Sequence, residues 1–170
     1  MAVYISENGF VTLTLCAIET STKYEASGIL LGYEAKGTYY VENVIPYQIA
    51  ERSSDSVYVH PARQKRIRRV FKNYMKYKII GEFHTHPDGA ADLSDDDNGL
   101  IRSSGYELEI VVAVNLNNSK NTWAYKKGFL SGSIDKYNLV IAAWKVGRNK
   151  MMKQSLRCPF AVGFDYLMPI

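Results

Sequence analysis

Between Gly81 and Asp97 the sequence leaves the backbone few choices. Gly81-Glu82-Phe83-His84-Thr85-His86 reads as part of a strand running from Lys78 to His86. Pro87 removes a ladder donor and ends that strand. Alternate strand residues share a face, so the imidazoles of His84 and His86 point into one space. After a loop through Leu93, Ser94 opens a helix that reaches about Arg102. Ser94 and Asp97 lie three apart and project from one side of its first turn. Asp97 is then placed to add a carboxylate to the two imidazoles. Two histidines, one carboxylate and one open position form the pattern of a catalytic metal site; a structural site is closed by four protein ligands. Taken singly, His-x-His is a weak signal and Ser-x-x-Asp is most often an N-capping arrangement. The joint spacing is what makes the segment specific.

The rest of the chain reads as strands and helices mixed around one core. Val3 to Ile5 is a short strand. Gly9 to Thr22 is ambiguous: Val11, Leu13 and Leu15 alternate like a strand, while Leu15 and Ile18 also suit a helix. Ser27 to Tyr33 is an apolar run that reads as a buried strand, and Lys36-Gly37 turns it into a partner strand over Thr38 to Tyr47. Ala50 to Ser56 is polar loop, and Val57 to Val59 is another short strand. Pro61 to Lys78 is the clearest helix, with Pro61 in its first turn and an apolar stripe of Ile67, Val70, Phe71, Tyr74 and Met75. Glu107 to Val114 is a buried strand, Asn117-Asn118 a hairpin turn, and Thr122 to Lys126 its return. Ile134 to Val146 is apolar and fits either a strand or a helix. The reading is an α/β (α+β) domain with antiparallel pairing.

Composition excludes several classes. A chain of 170 residues with 46% hydrophobic and 22% charged residues is long enough to bury a core without disulfide staples. Its two cysteines, Cys16 and Cys158, lack any paired spacing and read as reduced thiols, with a single bridge between them as the alternative. No apolar run approaches the ~18 residues of a membrane span. The start, Met-Ala-Val-Tyr-Ile-Ser-Glu, has no basic region or signal core, so a cytoplasmic location is expected. The net charge of +4 is too mild to argue for nucleic acid. Its distribution is uneven: eight Lys or Arg and no acid from Arg63 to Lys78, and five with no acid from Lys145 to Arg157. A solvated helix face explains the first cluster better than nucleic-acid binding, although the same surface would also suit an acidic substrate body. The second reads as plain surface, with a contact between copies of a homo-oligomer as its alternative.

The pattern His84-x-His86-x7-Ser94-x2-Asp97 resembles the signature of the JAMM/MPN+ metalloprotease family at every position. That family carries an upstream glutamate in a Glu-x-x-Gly-x-Leu-x-Gly context. Glu25-Ala26-Ser27-Gly28-Ile29-Leu30-Leu31-Gly32 is similar to it at every fixed position. The resemblance spans roughly residues 1–130 as a catalytic domain, with 131–170 read as an extension packed on it. It implies a single MPN/JAMM domain, with a curved, mixed but mainly antiparallel sheet flanked by helices, similar to the cytidine-deaminase-like arrangement. It also implies a helix over about residues 9–20, against the local lean toward strand.

The resemblance further implies that His84, His86 and Asp97 hold Zn2+, that Glu25 is the general base, and that Ser94 donates a hydrogen bond to the oxyanion. Glu82, two residues before His84 and on the same side of the strand, competes with Glu25 for the role of base. His60, before Pro61, reads as structural rather than metal-binding. Asp95 and Asp96 read as a solvated first turn suited to the helix dipole. The implied activity is cleavage after the C-terminal Gly-Gly of a ubiquitin-like modifier or sulfur-carrier protein. Such a tail would add as a strand, with Ser53 to Val59 as the candidate edge. Only about ten residues separate Asp97 from the next strand, so a small prokaryotic-type member is expected. The rival reading is a non-catalytic MPN scaffold or interaction module, a class in which the ligands are normally lost.

Overall fold

The computed structural model describes residues 2–21, 23–48, 50–74, 76–147 and 150–167. β1 (Ala2–Ile5) leads into α1 (Glu7–Thr20). The helix begins where the Ser6 hydroxyl accepts from the Gly9 amide at 3.1 Å. Phe10, Leu13 and Ala17 are fully buried on one side while Leu15 is 58% exposed, so the spacing that decides is helical and the local alternation of Val11, Leu13 and Leu15 is incidental. Thr14 and Thr20 are accommodated because their hydroxyls donate back to the carbonyls of Phe10 and Cys16, each at 2.9 Å.

β2 (Ser27–Ala35) and β3 (Thr38–Pro46) form the expected hairpin, with Lys36 and Gly37 both at positive φ. The polar stretch after it is not all loop: β4 (Glu51–Arg52) pairs with β5 (Val57–Tyr58). α2 (Pro61–Tyr74) places Ile67 and Phe71 against Ile29, Leu31, Tyr47 and Val59. Val70, expected in that stripe, is 47% exposed, and Met75 lies outside the described residues, as does the side chain of Tyr74. β6 (Lys78–Pro87) and α3 (Asp95–Ser104) follow as expected.

β7 (Leu108–Leu116) is followed by β8 (Ala124–Lys126), β9 (Phe129–Ile134), β10 (Tyr137–Val146), β11 (Met151–Arg157) and α4 (Pro159–Leu167). The expected hairpin through Asn117-Asn118 does not form. β7 pairs with β10 over nine residue pairs, while β8 turns back on β9. The apolar run of β10 offers β7 a longer partner than the three residues of β8. Of residues 134–146, open to two readings in the sequence, Ile134 ends β9, Asp135 and Lys136 turn, and the rest is the strand β10.

The sheet order is β11-β1-β3-β2-β6-β7-β10-β9-β8, and β11 pairs additionally with β10. Seven strands therefore close into a barrel rather than the open curved sheet expected, because β11 joins β1 on one side and β10 on the other. β1 is parallel to both β11 and β3, and β6 is parallel to β7; the other described pairings are antiparallel. The result is one mixed α+β domain. Its larger core lies on the sheet face packed by α1 and α4, with Leu30, Phe83, Ile110, Val112 and Ile141 at its centre. Side chains alternate, so the intervening residues of β2, β6 and β7, namely Ile29, His84 and Val111, reach the opposite face. There α2 covers one apolar cluster and the loop before α3 packs on another, around Ala91, Val111 and Ala142. Among the described residues no helix is long and apolar enough to cross a membrane.

Candidate metal centre

His84 and His86 close β6 on the face between these two clusters. The His84 Nδ1 lies 2.8 Å from Oε1 of Glu109, and the His86 Nδ1 lies 2.7 Å from the Ala90 carbonyl. Each acceptor takes the Nδ1 proton and leaves Nε2 free to bind a cation. The two Nε2 atoms are 3.1 Å apart. Asp97 completes the group, with Oδ1 3.5 Å from His84 Nε2 and Oδ2 3.6 Å from His86 Nε2.

This spacing is the test of fit. Ligands at ~2.0–2.1 Å around a tetrahedral ion stand about 3.3 Å from one another. The three measured separations bracket that value. His84, His86 and Asp97 are thus a group that can hold a metal ion, and only three protein ligands converge among the described residues.

The charges within the group show the same demand for a cation. Burial opposes a charge on His84, but hydrogen bonds to Asp97 and Glu109 outweigh it and push its pKa up to about 10. The hydrogen bond to Asp97 likewise raises His86, against burial. Burial would raise Asp97, yet its contacts with His84 and His86, joined by Ser94, hold it far below the ordinary carboxylate range.

Glu25 reaches the group through the backbone. The Thr85 amide donates to the Ala26 carbonyl at 2.9 Å, and the Ala26 amide donates to Thr85 Oγ1 at 2.8 Å. Ser27 pairs with His84 at the end of the β2–β6 ladder, and Glu25 lies two residues before it, outside β2. Its amide is held by the Ser53 carbonyl at 2.8 Å. Burial raises its pKa, opposed by His84 and His86 and assisted by Asp97. A raised carboxyl beside a cation site suits proton transfer. The glycines of the upstream motif have a steric reason: a Cβ at Gly28 would strike the Ile45 carbonyl, and one at Gly32 the Tyr40 carbonyl. They let β3 press against β2 and so fix where Glu25 emerges.

Ser94 is the N-cap of α3 and forms a full capping box with Asp97. Its hydroxyl accepts from the Asp97 amide at 3.0 Å and donates to Asp97 Oδ2 at 2.7 Å. The box fixes the carboxylate that faces the histidines, so capping and metal-site geometry are one arrangement. Asp95 and Asp96 stay exposed in the first turn.

Glu82 is engaged elsewhere. Its Oε1 accepts from Arg68 at 3.1 Å and from the Tyr47 hydroxyl at 3.2 Å. His60 is exposed, and its Nδ1 accepts from the Ala62 amide at 3.2 Å at the start of α2. Cys16 and Cys158 are free and buried.

Two functional positions escaped the sequence reading. Glu109, only 4% exposed, is the carboxylate behind His84; burial favours its neutral form and the His84 contact opposes this. Thr85, fully buried, pins Ala26. An acid inside an apolar strand was the available signal for Glu109. Nothing in the local sequence marked Thr85.

The loop from Pro87 to Leu93 is anchored, not free. The Asp88 amide donates to the Val114 carbonyl at 2.9 Å, Asn115 holds the Gly89 carbonyl at 3.0 Å, and Trp144 the Ala91 carbonyl at 3.3 Å.

No curated protein matches the chain. The solution structure of protein DSY2949 from Desulfitobacterium hafniense is similar, with a TM-score of 0.62, 17% identity and 92% of each chain covered; at that identity the likeness concerns the fold. The family model for prokaryotic homologs of the JAB domain matches residues 16–126. That span holds Glu25, both histidines and the capped aspartate, and the chain belongs to the prokaryotic homologs of the JAB domain.

Proposed function

We propose that the chain is a zinc-dependent (iso)peptidase that hydrolyses the bond after the C-terminal Gly-Gly of a ubiquitin-like modifier or sulfur-carrier protein. The observation that carries this reading is the convergence of His84, His86 and Asp97 at zinc-ligand spacing, with Glu25 near enough for all three to act on its carboxyl. When bound, zinc supplies a Lewis-acidic centre that lowers the pKa of water to about 7 and polarises a carbonyl.

The chain's own residues do the rest. Glu25 takes a proton from the attacking water on its carboxylate and delivers it to the leaving nitrogen. Its raised pKa favours holding that proton between the two events. Glu109 and the Ala90 carbonyl keep the two imidazoles oriented. Ser94 stabilises the developing oxyanion by turning its hydroxyl from Asp97 to the substrate oxygen, a contact typically worth about 3 kcal/mol. The substrate tail adds as a strand near Ser53 to Val59, where β4 and β5 form a small sheet beside Glu25. A cytoplasmic substrate protein fits this reading.

The test is zinc-loaded protein incubated with a panel of Gly-Gly-tailed ubiquitin-like proteins joined to lysine or to a peptide. The parent is expected to cleave after Gly-Gly and Glu25→Ala is expected not to, while both bind zinc. Absence of cleavage by zinc-saturated parent would favour a binding module instead.

A further inference from the structure

α2 does not fill all the space above the sheet it covers. A cavity of about 360 Å³ opens there, within the ~300–1,000 Å³ range of ligand pockets. Its walls are apolar: Ile29 and Ile45 from β2 and β3, Val59 after β5, and Ile67 and Phe71 from α2. Arg63 and Arg66 stand at its rim and are exposed. Neither has an acidic partner among the described residues.

The charge that α2 brings to this cavity has one sign, and the acid nearest it, Glu82 on Tyr47, is paired with Arg68. α2 carries Arg63, Lys65, Arg66, Arg68, Arg69 and Lys72 and no acid. Of these only Arg68 forms an ion pair, with Glu82, among the described residues. The fold therefore leaves an apolar cavity edged by two uncompensated guanidinium groups. Such an edge matches a carboxylate, which guanidinium binds in a fork, while the walls match an aliphatic or aromatic side chain.

The cavity is also in register with the chemistry. Ile29 is two residues along β2 from Ser27, which pairs with His84, and four from Glu25. Strand rise makes the step from Ser27 to Ile29 about 7 Å, and Glu25 lies two residues before β2 begins. An extended chain with its scissile bond at Glu25 reaches the cavity with a residue about two to four positions away.

We propose that this cavity is a specificity site for an acidic peptide segment of the substrate, which inserts one large apolar side chain between α2 and β2 while flanking carboxylates pair with Arg63 and Arg66. The proposal rests on the peptidase reading for its place in the substrate, but its binding chemistry does not require metal.

The experiment uses fluorescence anisotropy on the full chain with a labelled peptide of one leucine flanked by glutamates. Three probes accompany it: the same peptide with lysines for glutamates, the same with alanine for leucine, and a short DNA duplex. The glutamate–leucine peptide is expected to bind, more weakly as salt rises, and the other two peptides to bind at least about tenfold less tightly. Arg63→Glu with Arg66→Glu should weaken binding by about tenfold or more. Arg63→Gln with Arg66→Gln, at the same exposed positions, serves if the reversal perturbs folding. Equal binding of the lysine peptide, unchanged binding by both double variants, or preference for the duplex would overturn the proposal. Each titration is repeated with chelator present. Failure to cleave then counts against the peptidase reading alone, and failure to bind counts against this site alone.

Discussion

Replacing Glu109 by glutamine separates charge from shape behind the metal centre. The parent carboxylate is 4% exposed and sits 2.8 Å from His84 Nδ1. Glutamine keeps the size, and its carbonyl still accepts the Nδ1 proton, so the change removes little but the negative charge. That charge makes the imidazole a stronger donor to a cation. Losing such a partner typically lowers metal affinity ~10–100-fold, which is about 1.4–2.8 kcal/mol. Because the hydrogen bond survives, Glu109→Gln is expected near the tenfold end. Zinc affinity would be read by competition with a chromophoric chelator near neutral pH, with near-UV circular dichroism to confirm the fold. Glu82→Gln is the comparison: it removes an acid from the same sheet face, but one held by Arg68 and Tyr47. It should change zinc affinity far less. A folded Glu109→Gln protein with parental affinity, or two variants with equal losses, would refute the argument that the carboxylate behind His84 strengthens its ligation.

Ser94→Ala removes the N-cap of α3 and should cost about 1 kcal/mol, seen as a fall in Tm of roughly 2–4 °C. If Ser94 also serves the oxyanion, the rate falls ~10²–10³-fold; Ser94→Asn, which keeps a cap, then restores Tm but not rate. Zinc must displace the proton held by His84, whose folded pKa is about 10. Affinity should therefore rise at least about tenfold per pH unit through the neutral range, measured by the same chelator competition; a flat profile would show that no proton is released. The same shift acts on the metal-free fold with opposite sense. The folded pKa lies above the unfolded value of about 6.5, so its stabilising contribution is complete below that pH and fades as pH rises through about 10; chemical denaturation of chelator-treated protein would show it. Gly32→Ala drives a methyl into the Tyr40 carbonyl and should destabilise by ~1–3 kcal/mol or more, with Leu31→Ile, a swap at nearly constant volume, much milder.

What could be read along the chain depended on how local its cause is. The group that can hold a metal was legible because its spacing serves two rules at once: alternation sends His84 and His86 to one side, and the capping box orients Asp97. The β2–β3 turn was legible because Gly37 takes one of its two positive φ angles at no steric cost, leaving only Lys36 to bear the other. The helix over α1 was not secured by its own residues, whose local alternation suggested a strand; its burial against the barrel and the threonine back-bonds decided the matter. The partner of β7 could not be read from sequence either. An antiparallel strand pairs with whichever neighbour buries the most apolar length, and that was β10, beyond the nearer β8.

By itself, the sequence set His84 and His86 on one strand face, Asp97 in a capped first turn and the order of most elements, because each rests on contacts between near neighbours, whereas Glu25 and its glycines were legible only through the family resemblance. Only the tertiary structure decided that β11 closes the sheet into a barrel, that Glu109 stands behind His84, that Thr85 brings Glu25 to the metal centre, and that Glu82 is drawn away to Arg68. Each of these joins residues distant along the chain, where periodicity carries no information and packing alone selects the partner.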